Sequence, residues 1–563
     1  ELRQEISLSS AEAIVERVAY LWFNRFIALR FMDVNRYTFT GIVSPRQGHT
    51  QPEILQEAKE GHLHERLELY LKGKDIQGIL SGRAHSRDPQ LDAYRMLIVA
   101  VCNYYYGLMP FMFEEIDHYS ELLMPEDLLS EASILQNIRE VLTEETCRDV
   151  EVIGWLYQFY ISEKKDQVFE GLKSNKKITP ENIPAATQLF TPHWIVRYLV
   201  ENSLGRLWLL NHSGSSLKEH MEYYIEPVDE EKDFLVVDSP EDLKICDPAC
   251  GSGHMLTYAF DLLFLIYEEE GYNKNDIPSL ILKNNLYGME IDERAGGLAA
   301  FALCMKALEK DRRFLEKKLE PNILVYENIG FARGELNQYM DEVGNNLFTL
   351  PLQNTLTQFE EAKTFGSLIR PDVTDVADIR KTLEEREMGS KLLLHHTHLK
   401  VLRVLKQAEY LSPRYHVVVA NPPYMGGKGM NPELRTFAEK LYSETKSDLF
   451  AMFIERGFEL VYDRGYSAMV TMQSWMFLSS YEKLRERLLN ETTIDCMVHM
   501  ANMVMGIAFG TAATVWNKAI KPDFQGSFSY VYYEDLTGDN KPREFPIQNE
   551  RLRTASATDF KKI

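Results

Sequence analysis

Asn421-Pro422-Pro423-Tyr424 follows the apolar run Tyr415-His416-Val417-Val418-Val419-Ala420, which reads as a buried strand. Two prolines remove two backbone donors and stiffen the turn. What remains is a set of acceptors, the Asn421 side-chain oxygen and the Pro422 carbonyl, next to the flat ring of Tyr424. Acceptors without donors suit an exocyclic amino group, which offers two N–H donors, and the ring suits stacking on a planar base. The bland alternative is a proline-rich loop that binds nothing.

Two further patterns make a ligand site the better reading. In Asp247-Pro248-Ala249-Cys250-Gly251-Ser252-Gly253-His254 an apolar strand runs into a small-residue turn, and a helix follows. Gly251 and Gly253 let the backbone approach a ligand closely, and the free N–H groups of the helix start then face it. The strand Asn285–Ile291 ends in Glu290, 43 positions after Asp247, with Ile291 beside it. In dinucleotide-binding units a carboxylate at that strand end accepts two ribose O–H bonds, at a spacing of about 20 residues, so this unit is longer. Upstream, Gln188-Leu189-Phe190-Thr191-Pro192-His193-Trp194 offers Thr191 as a cap for the helix that Pro192 begins. Spacing alone does not decide whether Thr191 also touches a ligand. Glu327 and Asn328, after the third strand, face either a cofactor base or solvent, and a solvated strand end is the plainer reading. Phe509 suits a second stacking ring and a core position equally.

No metal site is expected. His395, His396 and His398 have no fourth ligand at sensible spacing, so they read as a solvated, basic helix face. The six cysteines form no C-x-x-C pair and read as reduced thiols in a cytoplasmic protein. Pro240-Glu241-Asp242-Leu243-Lys244 resembles a nuclease motif only superficially, because it lies at the entry to the cofactor strand.

The elements that position these residues are those of an α/β protein. The chain has 563 residues, 45% of them apolar and 26% charged, an ordinary globular mix. Residues 1–180 read as helices: Ser9 and Glu12 have capping-box spacing, and Ile14, Val18, Leu21, Trp22 and Phe23 form broad apolar faces. A polar break with Lys173, Lys176, Lys177, Pro180 and Pro184 follows. From about 181 to 535 short apolar strands alternate with helices, which argues for a largely parallel sheet. Strands are expected at Leu243–Cys246, Asn285–Ile291, Asn322–Tyr326, His416–Ala420, Tyr466–Thr471, Ile494–His499 and Thr514–Trp516. Residues 352–411 read as a helical insertion, and 536–563 as the start of a further, C-terminal region. The chain opens on Glu1 without a secretory leader, and a fragment of a longer, soluble bacterial protein is expected. Its net charge of −22 argues against a simple polybasic nucleic-acid binder. A local basic cleft inside an acidic whole remains compatible with it, and Lys428, Lys400, Arg403 and Lys406 are its candidates.

Asp247 to Gly253, Glu290 and Asn421 to Tyr424, in that order, resemble the amino-methylating DNA methyltransferases that use S-adenosylmethionine. The Gln-x-Phe-Thr-Pro segment resembles the leading motif of type I and type IIG members. Trp22-Phe23-Asn24-Arg25, Val152 to Asp166 and Met221 to Pro227 resemble the PglX family, the methyltransferases of BREX bacteriophage-exclusion systems, over nearly the whole chain. The resemblance implies a Rossmann-like, mixed seven-stranded methyltransferase sheet behind an all-helical N-terminal domain. It implies that Asp247, Pro248, Ala249, Cys250, Gly251 and Gly253 hold the methionine end of the cofactor, Glu290 and Ile291 its ribose region, and Glu327 its base. Thr191 then lies near the cofactor carboxylate, and Asn421, Pro422, Pro423 and Tyr424 hold the target adenine. Double-stranded DNA, other BREX defence proteins and DNA-mimic inhibitors from phage are the implied partners, with no membrane. The resemblance implies a target-recognition region after the catalytic domain, most of which is expected to lie outside these residues, and the distance from Glu290 to Asn421 is long for the family.

The expected reaction is N6 methylation of a flipped-out adenine, with catalysis by positioning and electrostatics. Three other readings stay open on sequence: methylation of glutamine amides in proteins, methylation of adenine in RNA, and a DNA-recognition and assembly subunit that methylates only with partners.

Overall fold

The computed structural model describes residues 11–116, 121–173, 176–343, 350–385, 392–548 and 550–561. Ser9, half of the expected capping box, lies outside them. The chain forms two compact units. One comprises residues 1–156 and 300–320, the other 157–299 and 321–563.

The first unit is helical among its described residues. The helix Ala11–Val34 buries Val18, Trp22, Phe26 and Leu29. Pro89–Tyr106 buries Leu97, Ile98 and Val101 and starts at an Asp88 cap that accepts the Leu91 N–H. Burial pushes the Asp33 carboxyl above the ordinary carboxylate range. The backbone N–H groups of Ile42, Val43 and Ser44, all donated to that carboxyl, oppose the shift.

The second unit is built on one mixed sheet with nine strands among the described residues: β1 (Ile245–Asp247), β2 (Leu286–Glu290), β3 (Asn322–Val325), β4 (Tyr415–Ala420), β5 (Val461–Met472), β6 (Thr493–Met500), β7 (Thr511–Asn517), β8 (Gly526–Val531) and β9 (Arg553–Ala555). Their order is β3-β2-β1-β4-β5-β7-β6-β8-β9. The first five strands in that order are parallel, and β7 is antiparallel to both β5 and β6. The order reverses at the β1–β4 pair, and in doubly wound sheets the crevice outside the strand ends at such a point is where ligands bind. Asp247 and Asn421 follow or end those two strands.

The expected seven strands are all present, and the sheet is larger by two. β8 pairs parallel with β6, and β9 pairs antiparallel with β8, so part of segment 536–563 continues this sheet. Neither carries an apolar run: β8, Gly-Ser-Phe-Ser-Tyr-Val, alternates serines with two aromatic residues, and β9 is only Arg-Thr-Ala. The 352–411 region is helical in its described parts, with helices Leu350–Thr357, Val376–Glu384 and Leu392–Leu411. Leu352, Leu356, Val401, Val404 and Leu405 pack from it into the core on one face of the sheet. His398 corrects the expected solvated histidine face. It is 5% exposed and its Nδ1 lies 2.6 Å from the Tyr339 hydroxyl, while His395 and His396 are exposed. All six cysteines are unpaired and buried. Among the described residues no helix is long and apolar enough to cross a membrane, and no cluster of three or more metal-ligating side chains occurs.

Candidate active site

Two strand ends and one loop build the site. β1 ends in Asp247, 2% exposed, whose Oδ1 accepts the Ala249 N–H at 3.0 Å. Burial pushes the Asp247 carboxyl up to about 8, the Ala249 N–H opposing and the nearby Glu290 carboxyl adding to the rise. The turn then needs glycine twice. Gly251 sits at φ +53 and Gly253 at φ +91, both in the left-handed region that glycine enters without steric cost. At Gly253 a Cβ would also stand 3.1 Å from the Ala299 Cα, so the helix His254–Glu269 starts where only a bare backbone fits.

Glu290, at the end of β2, holds this turn in place. Its Oε2 accepts the Gly251 N–H at 2.8 Å, and its Oε1 accepts the Ile291 and Asp292 N–H groups at 2.8 and 2.9 Å. Burial pushes the Glu290 carboxyl up to about 7 in spite of those donors. Asp292 sits beside it, 7% exposed, hydrogen-bonded to the Tyr157 hydroxyl and paired with Arg294 at 3.0 Å.

Asn421 follows β4. Its Nδ2 donates to the Leu189 carbonyl at 3.2 Å and to Thr191 Oγ1 at 2.9 Å. Its Oδ1 is buried and accepts no hydrogen bond. A buried acceptor left unpaired is costly, and this one belongs to the residue whose acceptor the sequence singled out. Pro422 is buried behind it. Tyr424 donates its hydroxyl to the Val470 carbonyl at 3.0 Å, and its ring lies 6.1 Å from both Phe450 and Phe509. Phe509 is half-buried, not sealed in the core.

A cavity of about 800 Å³, counting its opening to solvent, joins these parts. Pro248, Ala249, Gly251, Glu290, Ile291, Asn421 and Pro423 line it. Asp247, Cys250, Gly253, Pro422, Tyr424 and Thr191 stand behind or beside its wall. Cys250 is 5% exposed with its N–H on the Met289 carbonyl, and burial raises its thiol well above the usual range. Thr191 does not cap the following helix. That helix, His193–Val200, has Pro192 at its start and no side-chain cap, and the Thr191 hydroxyl instead serves Asn421. Glu327 stands apart from the cavity. Its carboxylate is 52% exposed and paired with Arg403 at 2.9 Å.

Several wall residues gave no sequence signal. Phe365, Gly366, Ser367 and Leu368, at the end of a helix in the insertion, close one side, and Leu449 and Phe453 close another. Gly366, at φ +51, would place a Cβ 3.0 Å from Ile291 Cγ2. Its glycine is the one local hint that this stretch turns tightly against the β2 end. Asp292 was within reach of sequence, adjoining Glu290 in Glu-Ile-Asp.

The Eco57I restriction-modification methylase family matches residues 284–504, and the MmeI DNA-methyltransferase domain matches 234–326. The chain is 40% identical over 98% of its length to the adenine-specific methyltransferase BrxX of Escherichia coli O9:H4 (strain HS), covering 48% of that protein. It is 34% identical over 100% of its length to the adenine-specific methyltransferase PglX of Lacticaseibacillus casei (strain Zhang), covering 49% of it. The chain therefore spans about half the length of these relatives. The solved structure of the type IIL restriction-modification enzyme MmeI in complex with DNA is 14% identical, with a TM-score of 0.37 over 91% of this chain and 58% of that one. A likeness of that size establishes nothing about function.

Proposed function

Because this chain is homologous over its whole extent to the adenine-specific methyltransferases named BrxX and PglX, we propose that it is the methyl-transferring part of a site-specific DNA adenine N6-methyltransferase of a BREX defence system. The observation that carries this reading is the buried, unpartnered Oδ1 of Asn421, a residue that lines the cavity and opens Asn421-Pro422-Pro423-Tyr424.

The cavity suits S-adenosylmethionine. Glu290 and Asp292 place carboxyl oxygens where ribose hydroxyls can donate, Pro248 to Gly251 offers a close-approaching backbone, and Ile291, Phe365, Leu368 and Phe453 form an apolar wall. Glu290, Ile291, Pro248, Ala249 and Gly251 would hold the cofactor, with Asp247 fixing the turn from behind. When bound, the cofactor supplies an electrophilic methyl group. Glu327 has no part in holding it in this reading, because Arg403 engages its carboxylate at the surface.

The chain's own residues then act on the base. Adenine N6 is a poor nucleophile because its lone pair is delocalised into the ring. Asn421 Oδ1 and the Pro422 carbonyl accept its two hydrogens, which favours a pyramidal nitrogen with a localised lone pair. Such preorganised acceptors act in a site where water is largely excluded. The base must leave the duplex stack, at a cost of a few kcal/mol, and stacking on Tyr424 offsets about 1–3 kcal/mol of it. The surplus proton on N6 passes to water afterwards.

Double-stranded DNA, other BREX proteins and phage DNA mimics are the proposed partners. Phosphates must meet cations. Lys400 and Arg403 are already paired with Glu335 and Glu327. Lys428 is the better candidate: it is exposed on the loop after Tyr424, and the Lys177 ammonium donates to its backbone carbonyl.

The test is to map N6-methyladenine by single-molecule sequencing in a host carrying the complete locus, with wild-type protein or Asn421→Ala. Methylation of one motif that vanishes in the variant is the expected result. No methylation in either strain, with S-adenosylmethionine still bound by the purified protein, would replace this reading with that of a recognition subunit.

A further inference from the structure

We propose that Thr191 is a positioning residue for the transfer step: its hydroxyl oxygen, together with the Leu189 carbonyl, locks the Asn421 amide with Oδ1 facing the adenine. This inference rests on the adenine site described above. It assigns the Thr191 side chain a role different from a contact with the cofactor carboxylate.

An Asn side chain has two amide orientations related by rotation about its last torsion, which is broad and roughly two-fold. Only one of them offers an acceptor to the amino group of a base. In this site both Nδ2 donors are used, one by the Leu189 carbonyl at 3.2 Å and one by Thr191 Oγ1 at 2.9 Å. Turning the amide over would set Oδ1 against the Leu189 carbonyl, acceptor against acceptor, and would leave Nδ2 without that partner; the Thr191 hydroxyl, which can accept or donate, fixes the place of the amide while the Leu189 carbonyl fixes its sense. The active orientation is thus held by an electrostatic penalty on the other one.

The Thr191 oxygen is available for this because it does no capping. The side chain is 4% exposed, so water does not compete for it. The loop that carries it is itself fixed. Lys165 donates to the Gln188 carbonyl at 2.8 Å. Ile183 and Ala186 pack in one apolar cluster with Met425, Met430, Leu449 and Phe453, from the segments that follow Asn421. Both ends of the Thr191–Asn421 bond therefore stand on one packed body, although they are 230 residues apart in sequence.

The test uses the whole protein expressed from its locus, tritiated S-adenosylmethionine, and genomic DNA from a host lacking that locus. Thr191→Val removes the acceptor at nearly constant shape, and Thr191→Ser keeps it. Cofactor affinity and the single-turnover transfer rate at saturating cofactor and DNA are measured for each. Losing one such bond should slow transfer by Thr191→Val about three- to tenfold, with cofactor affinity unchanged and Thr191→Ser close to wild type. Thr191→Ala serves in the same way if the valine variant does not fold. A Thr191→Val enzyme with weakened cofactor binding and a wild-type saturated rate would overturn the proposal in favour of a cofactor contact. Wild-type rates in valine and alanine variants alike would overturn it outright. Absence of transfer by the wild-type protein would instead sink the adenine site itself.

Discussion

Ser367 Oγ donates to the Pro248 carbonyl at 2.6 Å, across 119 residues of sequence. Ser367 is 1% exposed, its hydroxyl lies 3.1 Å from that of Tyr326, and its own carbonyl accepts the Arg456 Nε at 2.9 Å. A short turn within the inserted helical region thus braces the first residues of the glycine turn. This brace predicts that Ser367→Ala weakens S-adenosylmethionine binding. A net hydrogen bond of about 0.5–1.5 kcal/mol corresponds to about two- to tenfold in affinity, measurable by titration calorimetry. An unchanged affinity would mean that the turn holds its shape without the insertion.

Tyr424 separates two roles that a single substitution can distinguish. Its hydroxyl is committed to the Val470 carbonyl, away from any base. Tyr424→Phe should therefore cost about 1 kcal/mol of stability and leave transfer close to wild type. Tyr424→Ala removes the stacking face, worth about 1–3 kcal/mol per base, and should slow transfer about five- to 150-fold. Equal rates for the phenylalanine and alanine variants would argue against stacking.

Burial raises both carboxyls at the glycine turn, Asp247 to about 8 and Glu290 to about 7. Their unfolded values lie near about 4, so between those limits the ligand-free folded protein binds more protons than the unfolded chain. The contribution of these two groups to stability should then fall as pH rises from about 4 toward 8. Asp247→Asn, which cannot ionise, should flatten that fall and raise the melting temperature at pH 8 relative to wild type. Ribose hydroxyls donate best to an ionised Glu290, so cofactor affinity should instead rise as pH passes about 7. Glu290→Gln should lose that rise, and a pH-independent wild-type affinity would contradict the assignment.

The two glycines of the turn should not behave alike. A Cβ at Gly251 meets no atom within 4 Å, so Gly251→Ala carries only the left-handed backbone cost, about 1–2 kcal/mol. Gly253→Ala adds a 3.1 Å approach to the Ala299 backbone, which cannot swing away as a side chain can. It should be the more destabilising of the two in thermal unfolding, whereas Gly251→Ala, at the glycine that lines the cavity, should impair cofactor binding more.

The strongest local patterns were legible without coordinates. All seven expected strands exist, and the starts and ends of most match within one or two residues, because runs such as Tyr415–Ala420 are apolar and bounded by turn residues. That Asp247, Glu290 and Asn421 stand at strand ends was legible too, because each closes an apolar run, and a parallel sheet exposes such ends to one crevice. β8 and β9 were not legible, because one alternates small residues and the other is three residues long, and both owe their strand form to a neighbour already in place. The cavity wall at Phe365 to Leu368, the withdrawal of Glu327 to Arg403 and the bond from Thr191 to Asn421 were decided by tertiary packing alone. Local sequence fixes where a backbone turns and which residues stand at the turn. Which distant side chain meets them depends on how the helices of the insertion and the 176–191 segment pack on the sheet, and no short-range pattern encodes that.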